Sequence, residues 1–115
     1  MKIERHETGP RMSKAVIHGD TVYLAGQVAD EPKADIGGQA RQVLAQIDKL
    51  LAEAGSDKTK ILSATIYLPD MGDFAELNKA WEAWVPAGHC PARATVEASL
   101  AAADYKVEIQ IIAAK

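Results

Sequence analysis

The spacing of apolar residues changes along this chain from strand-like to helical and back, and this order constrains the fold more than any other feature. Residues 15–18 and 21–25 are β-branched and aromatic runs separated by Gly19-Asp20, a pair compatible with the positive φ of a tight turn. Before them, residues 2–7 alternate Ile3 with charged neighbours. The sequence therefore predicts a short edge strand followed by a β-hairpin.

Two segments instead repeat apolar residues every three or four positions, as one face of a helix does. The first follows a polar surface loop at 29–38, begins at Gln39 and stops at Gly55. The second begins after Asp73, a candidate N-cap, and ends at Pro86. The apolar positions are Val43, Leu44, Ile47, Leu50, Leu51 and Ala54 in the first helix, and Phe74, Leu77, Ala80, Trp81 and Trp84 in the second.

The remaining apolar runs predict further strands. Residues 61–68 are long enough to cross a whole sheet, which favours an inner strand, and residues 91–115 form two strands joined by a short polar turn. The complete order predicts one α+β domain over residues 1–115, with a mixed sheet and two helices packed on one face. The bare face would include apolar residues such as Val96 and Ile66 or their neighbours, which favours oligomerisation.

Length and composition narrow the classes of protein. The 115 residues fit a single domain, and no apolar run approaches the roughly 20 residues that span a bilayer. The first residues lack the apolar core of a signal peptide and Cys90 is the only cysteine, so we expect a cytoplasmic location. A net charge of −3 without a basic run argues against a nucleic-acid partner.

Several catalytic signatures are missing. The glycines do not follow a phosphate-loop or dinucleotide-binding spacing, and the three histidines do not follow metal-ligand spacing, so no metal is expected. The pair His89-Cys90 invites a nucleophile-and-base interpretation, but adjacent side chains usually point apart, which favours an ordinary loop cysteine. The spacing of Trp81 and Trp84 favours core positions over a stacking platform for a ligand.

Two charges are the hardest to assign to solvated surface. Arg93 opens a strand after a proline, and either pairs with a surface acid or binds a ligand carboxylate with its planar fork. Glu108 lies in an otherwise apolar strand, on the same face as Lys106 and Gln110, and that face is either solvated or the wall of a pocket. Asn78, beside the apolar stripe of the second helix, is open to the same two interpretations. One pocket that holds both charges is the sharper hypothesis.

Four motifs in the right order carry a family resemblance. They are Pro-Ala-Arg-Ala-Thr-Val at 91–96, Lys-Val-Glu-Ile-Gln-Ile-Ile-Ala at 106–113, Val-Tyr-Leu-Ala-Gly-Gln at 22–27 and Asp-Phe-Ala-Glu-Leu-Asn at 73–78. With them the chain resembles the RidA/YjgF family of reactive-intermediate deaminases, and residues 78–85 and 87–89 are most similar to its YoaB-like branch.

The resemblance implies a fold and an activity. The fold is chorismate-mutase-like α+β, assembled as a homotrimer with a central barrel and with pockets between subunits. Active members hydrolyse 2-imino acids to 2-keto acids and ammonia without a cofactor. In this chain Arg93 would bind the substrate carboxylate, Glu108 would orient water, and Asn78 and Gly26 would line the pocket.

Three pocket positions differ from the deaminase pattern. Met12, after an inserted Arg11, stands where that branch usually has tyrosine, Ala25 replaces serine, and Thr95 replaces cysteine. A family member that binds a keto or amino acid without catalysis is therefore an alternative. Ribonuclease activity, which has been attached to some relatives, is the weakest expectation because the chain is acidic.

Overall fold

The secondary structure follows the predicted order. A computed structural model describes all 115 residues. The chain contains six strands and two α-helices, which are β1 (Ile3–Thr8), β2 (Ser13–His18), β3 (Thr21–Leu24), α1 (Ile36–Glu53), β4 (Ile61–Leu68), α2 (Phe74–Trp84), β5 (Ala92–Glu97) and β6 (Glu108–Ala114). Short 3₁₀ turns at Lys58–Lys60 and Met71–Asp73 lead into β4 and α2. No helix is long and apolar enough to cross a membrane.

The strands form one mixed sheet in the order β1-β2-β3-β6-β4-β5, in which only β4 and β5 are parallel. The prediction that a short turn joins the last two strands is wrong, because β4 lies between β5 and β6. A parallel pair needs a crossover connection, and α2 supplies it between β4 and β5. Residues 98–107 then carry the chain from the edge strand β5 back to β6. The prediction that β4 is an inner strand is confirmed.

Both helices cover one face of the sheet, as predicted. The helix-facing residues of the inner strands are buried and form one core cluster with all six predicted apolar positions of α1. Ile66 belongs to this core and is fully buried, so its expected place on the bare face is wrong. Val96 does lie on the opposite face, which we call the helix-free face, and is 41% exposed. The helix-free face also carries Thr65 and Tyr67, the neighbours of Ile66, both half-buried.

The helix ends differ from the prediction in two details. α1 begins at Ile36 rather than Gln39, because the Asp35 side chain caps it by accepting a hydrogen bond from the Gly38 amide (2.8 Å). The end at Gly55 is confirmed: φ there is +81°, a conformation that favours glycine after a helix. Asp73 occupies the N-cap position of α2, but its side chain makes no capping hydrogen bond.

One buried glutamine ties the loops to α1. Gln39 is fully buried, and its Nε2 donates to the carbonyl oxygens of Pro32 (2.8 Å), Ala34 (3.1 Å) and Asp104 (3.0 Å). Its Oε1 accepts from the Lys106 amide at 2.9 Å. The connections before α1 and before β6 are therefore fixed to the same side chain.

Candidate functional site

Arg93 is held by aromatic rings rather than by an acid. It pairs with the buried Ala64 across β4–β5, so its side chain leaves the sheet on the helix-covered face. There the guanidinium carbon lies 5.5 Å from the ring centre of Trp81 and 5.7 Å from that of Phe74, both on α2. No carboxylate lies within 4.0 Å of the half-buried guanidinium, which donates no hydrogen bond within the chain. The interpretation of Arg93 as half of a surface ion pair is therefore wrong.

Two other polar side chains near Arg93 also lack partners. Thr95 lies two positions further along β5, on the same face, and its buried Oγ1 makes no hydrogen bond. Asn78 lies on the side of α2 between Phe74 and Trp81, is half-buried, and makes no side-chain hydrogen bond within the chain. We call Arg93, Phe74, Trp81, Thr95 and Asn78 the arginine cluster. Buried polar atoms are normally hydrogen-bonded, so this cluster has unused capacity for a ligand or a second chain.

Glu108 opens β6 on the opposite, helix-free face, and Gly26 packs against it. It is paired with Tyr67 of β4, and strand alternation places its buried neighbours Val107 and Ile109 on the helix side, as predicted. A Cβ atom added to Gly26 would lie 2.9 Å from the Glu108 Cδ and closer still to its Oε2. The absence of a side chain at Gly26 therefore leaves the room that the carboxylate occupies.

Ala25 and Met12 lie at the same end of the sheet as Glu108. The Ala25 amide donates to the Lys14 carbonyl (2.9 Å), which places the β1–β2 turn beside the segment that follows β3. Met12 in that turn is 61% exposed. We call Glu108, Gly26, Ala25 and Met12 the glutamate cluster.

One chain does not bring the two clusters together. Arg93 pairs with Ala64 and Glu108 with Tyr67, so the two residues flank β4 three positions apart. Standard strand spacing and rise put their Cα atoms about 14 Å apart, and the side chains leave opposite faces of the sheet. Arg93 and Glu108 of the same chain therefore cannot share one pocket.

The larger cavities are separate from most of these residues. A groove of about 430 Å³ runs between α1 and α2 and is lined by Trp84, Arg41 and Lys58 among others, but by none of the predicted site residues. A shallow depression of about 280 Å³ at the β4–β5 edge includes Arg93. No group of three or more His, Cys, Asp or Glu is placed to hold a metal ion. His89 and Cys90 are both exposed.

The aromatic contacts of Arg93 were not anticipated from the sequence. The prediction that Trp81 is a core residue is confirmed, since it is 5% exposed. Phe74, expected in the same core, is 36% exposed and faces the guanidinium instead. The available signal in the sequence was its place at the first turn of the helix, where a side chain is less covered by the sheet than in the middle of the helix.

Comparisons with known proteins agree along almost the whole chain. The family model for Endoribonuclease L-PSP matches residues 4–115. The RutC family protein YoaB of Escherichia coli is 51% identical over 114 residues, with 99% of each chain covered. A YjgF-family member from Neisseria meningitidis has a crystal structure with a TM-score of 0.96 at 50% identity, covering 100% of this chain and 96% of that one. A protein from Pseudomonas aeruginosa gives a TM-score of 0.97 at 44% identity, with 99% of each chain covered.

Proposed function

Because this chain belongs to the RidA/YjgF family, as its similarity to YoaB and to the L-PSP family model shows, we propose that it hydrolyses 2-imino acids to 2-keto acids and ammonia. One observation carries the proposal: Arg93 is half-buried against two rings with no acid to neutralise it. Such a cation is suited to bind a small carboxylate with paired hydrogen bonds. No cofactor is needed for this chemistry.

We further propose that the pocket forms between subunits of a homotrimer whose sheets line a central barrel. Support comes from the separation of the arginine and glutamate clusters, which lie on opposite faces of one sheet. A neighbouring copy that presents its glutamate cluster to the arginine cluster would complete the site. Residues 1–115 would act as one domain, in the cytoplasm.

The proposed reaction uses the two charges for different tasks. Arg93 holds the substrate carboxylate, and Glu108 orients a water molecule towards the imine carbon, which is electrophilic once its nitrogen is protonated. Glu108 accepts a proton as water adds to that carbon. Glu108 then passes this proton to the nitrogen of the addition product. As the C–N bond breaks, the new hydroxyl group gives its proton to Glu108 and becomes the keto carbonyl, so that the 2-keto acid and ammonia leave and Glu108 releases the proton to solvent. Asn78, Gly26, Ala25, Thr95 and Met12 would line the pocket.

Replacement of Arg93 tests the proposal. We expect Arg93→Ala to lower kcat/KM about 100-fold, the value of a lost charge-assisted bidentate contact, while the assembly persists. The measurement is keto-acid formation from imines that an amino-acid oxidase generates from several amino acids. Arg93→Lys, which keeps the charge without the planar fork, should lose less. An unchanged rate in Arg93→Ala would contradict the proposal.

A non-catalytic binding role is the second candidate, and the differences at Met12 and Ala25 favour it. It predicts that a 2-keto acid raises the Tm of the wild type but not of Arg93→Ala, in a protein that gives no imine turnover. Ribonuclease activity, named in the description of the family model, would instead appear as RNA cleavage that Arg93→Ala abolishes.

A further inference from the structure

We propose that Phe74 and Trp81 are positioning residues that hold the Arg93 guanidinium ready for a substrate carboxylate. This inference rests on the proposed function, because it assigns Arg93 the role of carboxylate anchor. The two rings, here called the aromatic clamp, have their centres 5.7 Å (Phe74) and 5.5 Å (Trp81) from the guanidinium carbon. Neither ring takes part in the proton transfers or bond changes of the proposed hydrolysis.

The clamp positions the arginine without occupying the N–H donors that a substrate carboxylate needs. An arginine held by an acid is well positioned, but that acid occupies its N–H donors and competes with the substrate. Aromatic rings attract a cation through the negative potential of their faces and accept none of its in-plane hydrogen bonds in return. The Arg93 side chain has no acid partner and makes no hydrogen bond in the chain, so its N–H donors are free for a ligand.

The local fold fixes both rings relative to the arginine. Phe74 and Trp81 are seven residues apart on α2, which is two turns, so they lie on the same side of the helix. Between them Leu77 is fully buried and anchors the helix to the sheet. Because α2 is also the crossover from β4 to β5, the helix that carries both rings leads directly into the strand that carries Arg93.

The two rings differ in setting. Trp81 is 5% exposed and belongs to the core, whereas Phe74 is 36% exposed at the first turn of the helix. A phenylalanine this exposed contributes little to the core, so its main contribution at this position is the contact of its ring with Arg93. Phe74 is therefore the ring whose replacement separates positioning from packing.

Loss of the clamp should change binding more than turnover. The carboxylate contact is made equally in the ground state and the transition state, so its weakening raises KM and leaves kcat largely intact. From the usual strength of cation–π contacts, we expect Phe74→Leu to raise KM and the Kd for 2-oxobutanoate, a short 2-keto acid, about fivefold to tenfold. Phe74→Tyr, which keeps the ring face, should bind like the wild type.

An electronic series at Phe74 removes the influence of shape. Mono-, di- and trifluorinated phenylalanines placed at this position weaken the negative ring face stepwise with little change in size. We expect Kd for 2-oxobutanoate to rise with each fluorine, while the Tm stays constant. A matched control is Trp84→Phe, which keeps an aromatic ring beside Trp81, where the ring centres are 5.5 Å apart. The Trp84 ring faces the Lys58 ammonium rather than Arg93, and its Nε1 donates to Asp48. Trp81→Phe should raise Kd by more than Trp84→Phe does.

The possible results separate this inference from the proposed function. If Arg93→Ala abolishes binding and turnover while the fluorinated series leaves Kd unchanged, the proposed role of the clamp is wrong and the proposed deaminase activity is supported. If the wild type binds 2-oxobutanoate without imine turnover, the deaminase is wrong and the series still tests the clamp. If Arg93→Ala binds as the wild type does, the anchor role and the clamp are both wrong.

A ligand-free measurement covers a protein that binds no keto acid. In the clamp, the ring currents of Phe74 and Trp81 shift the Arg93 Nε–H resonance upfield of those of solvent-exposed arginines. The signal is assigned by its disappearance in Arg93→Lys. We expect Phe74→Leu to move it back towards the exposed position, and an unshifted wild-type resonance would overturn the clamp.

Discussion

At the scale of single residues, the glutamate cluster depends on a missing side chain. Gly26 and Glu108 are brought together where the segment after β3 meets the start of β6. Gly26 does not have a positive φ, so its backbone conformation does not demand glycine. The close approach of the Glu108 carboxylate does, because any Cβ at position 26 would overlap it.

We therefore expect Gly26→Ala to lower kcat about 100-fold, since displacement of a catalytic group by about 1 Å has an effect of that size. The arginine cluster is untouched, so KM should change little. The displaced atoms are the free end of a side chain, so the fold should persist. Steady-state imine hydrolysis and thermal melting measure the two effects.

Gly37→Ala on α1 is the matched control, because its added methyl would meet the end of the Arg41 side chain at 3.3 Å and the Asp35 Oδ1 at an ordinary contact distance of 3.9 Å. It should keep full activity. A Gly26→Ala enzyme with wild-type kcat, alongside a slow Glu108→Gln enzyme, would mean that the contact does not position the carboxylate.

The sequence singles out Arg93 and Glu108 as candidates but does not predict their surroundings. Alternation with Val107 and Ile109 correctly predicts the face of Glu108, because a strand has a strict period of two. For Arg93 the sequence left an ion pair and a ligand contact open. The rings that contact its guanidinium in place of an acid lie on α2, and contacts between distant elements leave no periodic signal in either segment.

At the scale of elements, Gln39 does more than fill a buried position in the first turn of α1. Its side chain joins α1 to the connection before it and to the connection between β5 and β6. That second connection allows the chain to pass from the edge of the sheet back to its middle. A buried amide with all its polar atoms bonded is stabilising, whereas its removal would leave several backbone groups unpaired.

We expect Gln39→Leu to lower the free energy of unfolding by about 3 kcal/mol or more, because it leaves three carbonyls and one amide without their partner. Gln42→Leu is the control, since Gln42 bonds only the exposed backbone of Glu31 and should lose less than about 1 kcal/mol. Urea unfolding measures both. Equal losses in the two variants would show that the buried amide does not hold the connections.

The elements themselves were largely predictable, and their pairing was not. Period-three-and-four spacing indicates both helices, and β-branched runs indicate the strands. The start of α1 was missed because Gly37 and Gly38 are typical of loops, although Asp35 caps the helix just before them. The predicted pairing of β5 with β6 fails because strands that follow each other in the sequence need not be neighbours in the sheet. The crossover through α2 places β5 beside β4, on the side away from β6.

At the scale of the whole molecule, the helix-free face carries an apolar row across three strands. Val16 of β2 pairs with Tyr23 of β3, which pairs with Ile112 of β6. Tyr23 is 44% exposed, and the other two are half-buried. In the proposed trimer this row would be covered by neighbouring subunits, as exposed apolar patches often are.

We expect Tyr23→Glu to raise the concentration at which the trimer dissociates at least about tenfold, because the change places a charge in an apolar contact. Imine turnover should fall in parallel, since each proposed pocket needs two chains. Sedimentation velocity and activity over a dilution series measure the two effects. Ala52→Glu, on the exposed side of α1, should change neither, and a Tyr23→Glu protein that assembles like the wild type would contradict the predicted interface.

The position of β6 has a consequence for how the polypeptide acquires its structure during synthesis. This last strand of the sequence is the one that joins β1–β3 to β4–β5. While residues 108–114 remain inside the ribosome, the two groups of strands have no shared partner and cannot form one sheet. Pairing between distant segments also slows folding. Completion of this sheet therefore waits until residues 108–114 are free to pair, and the exposed edges of β3 and β4 are the surfaces that must avoid aggregation until then.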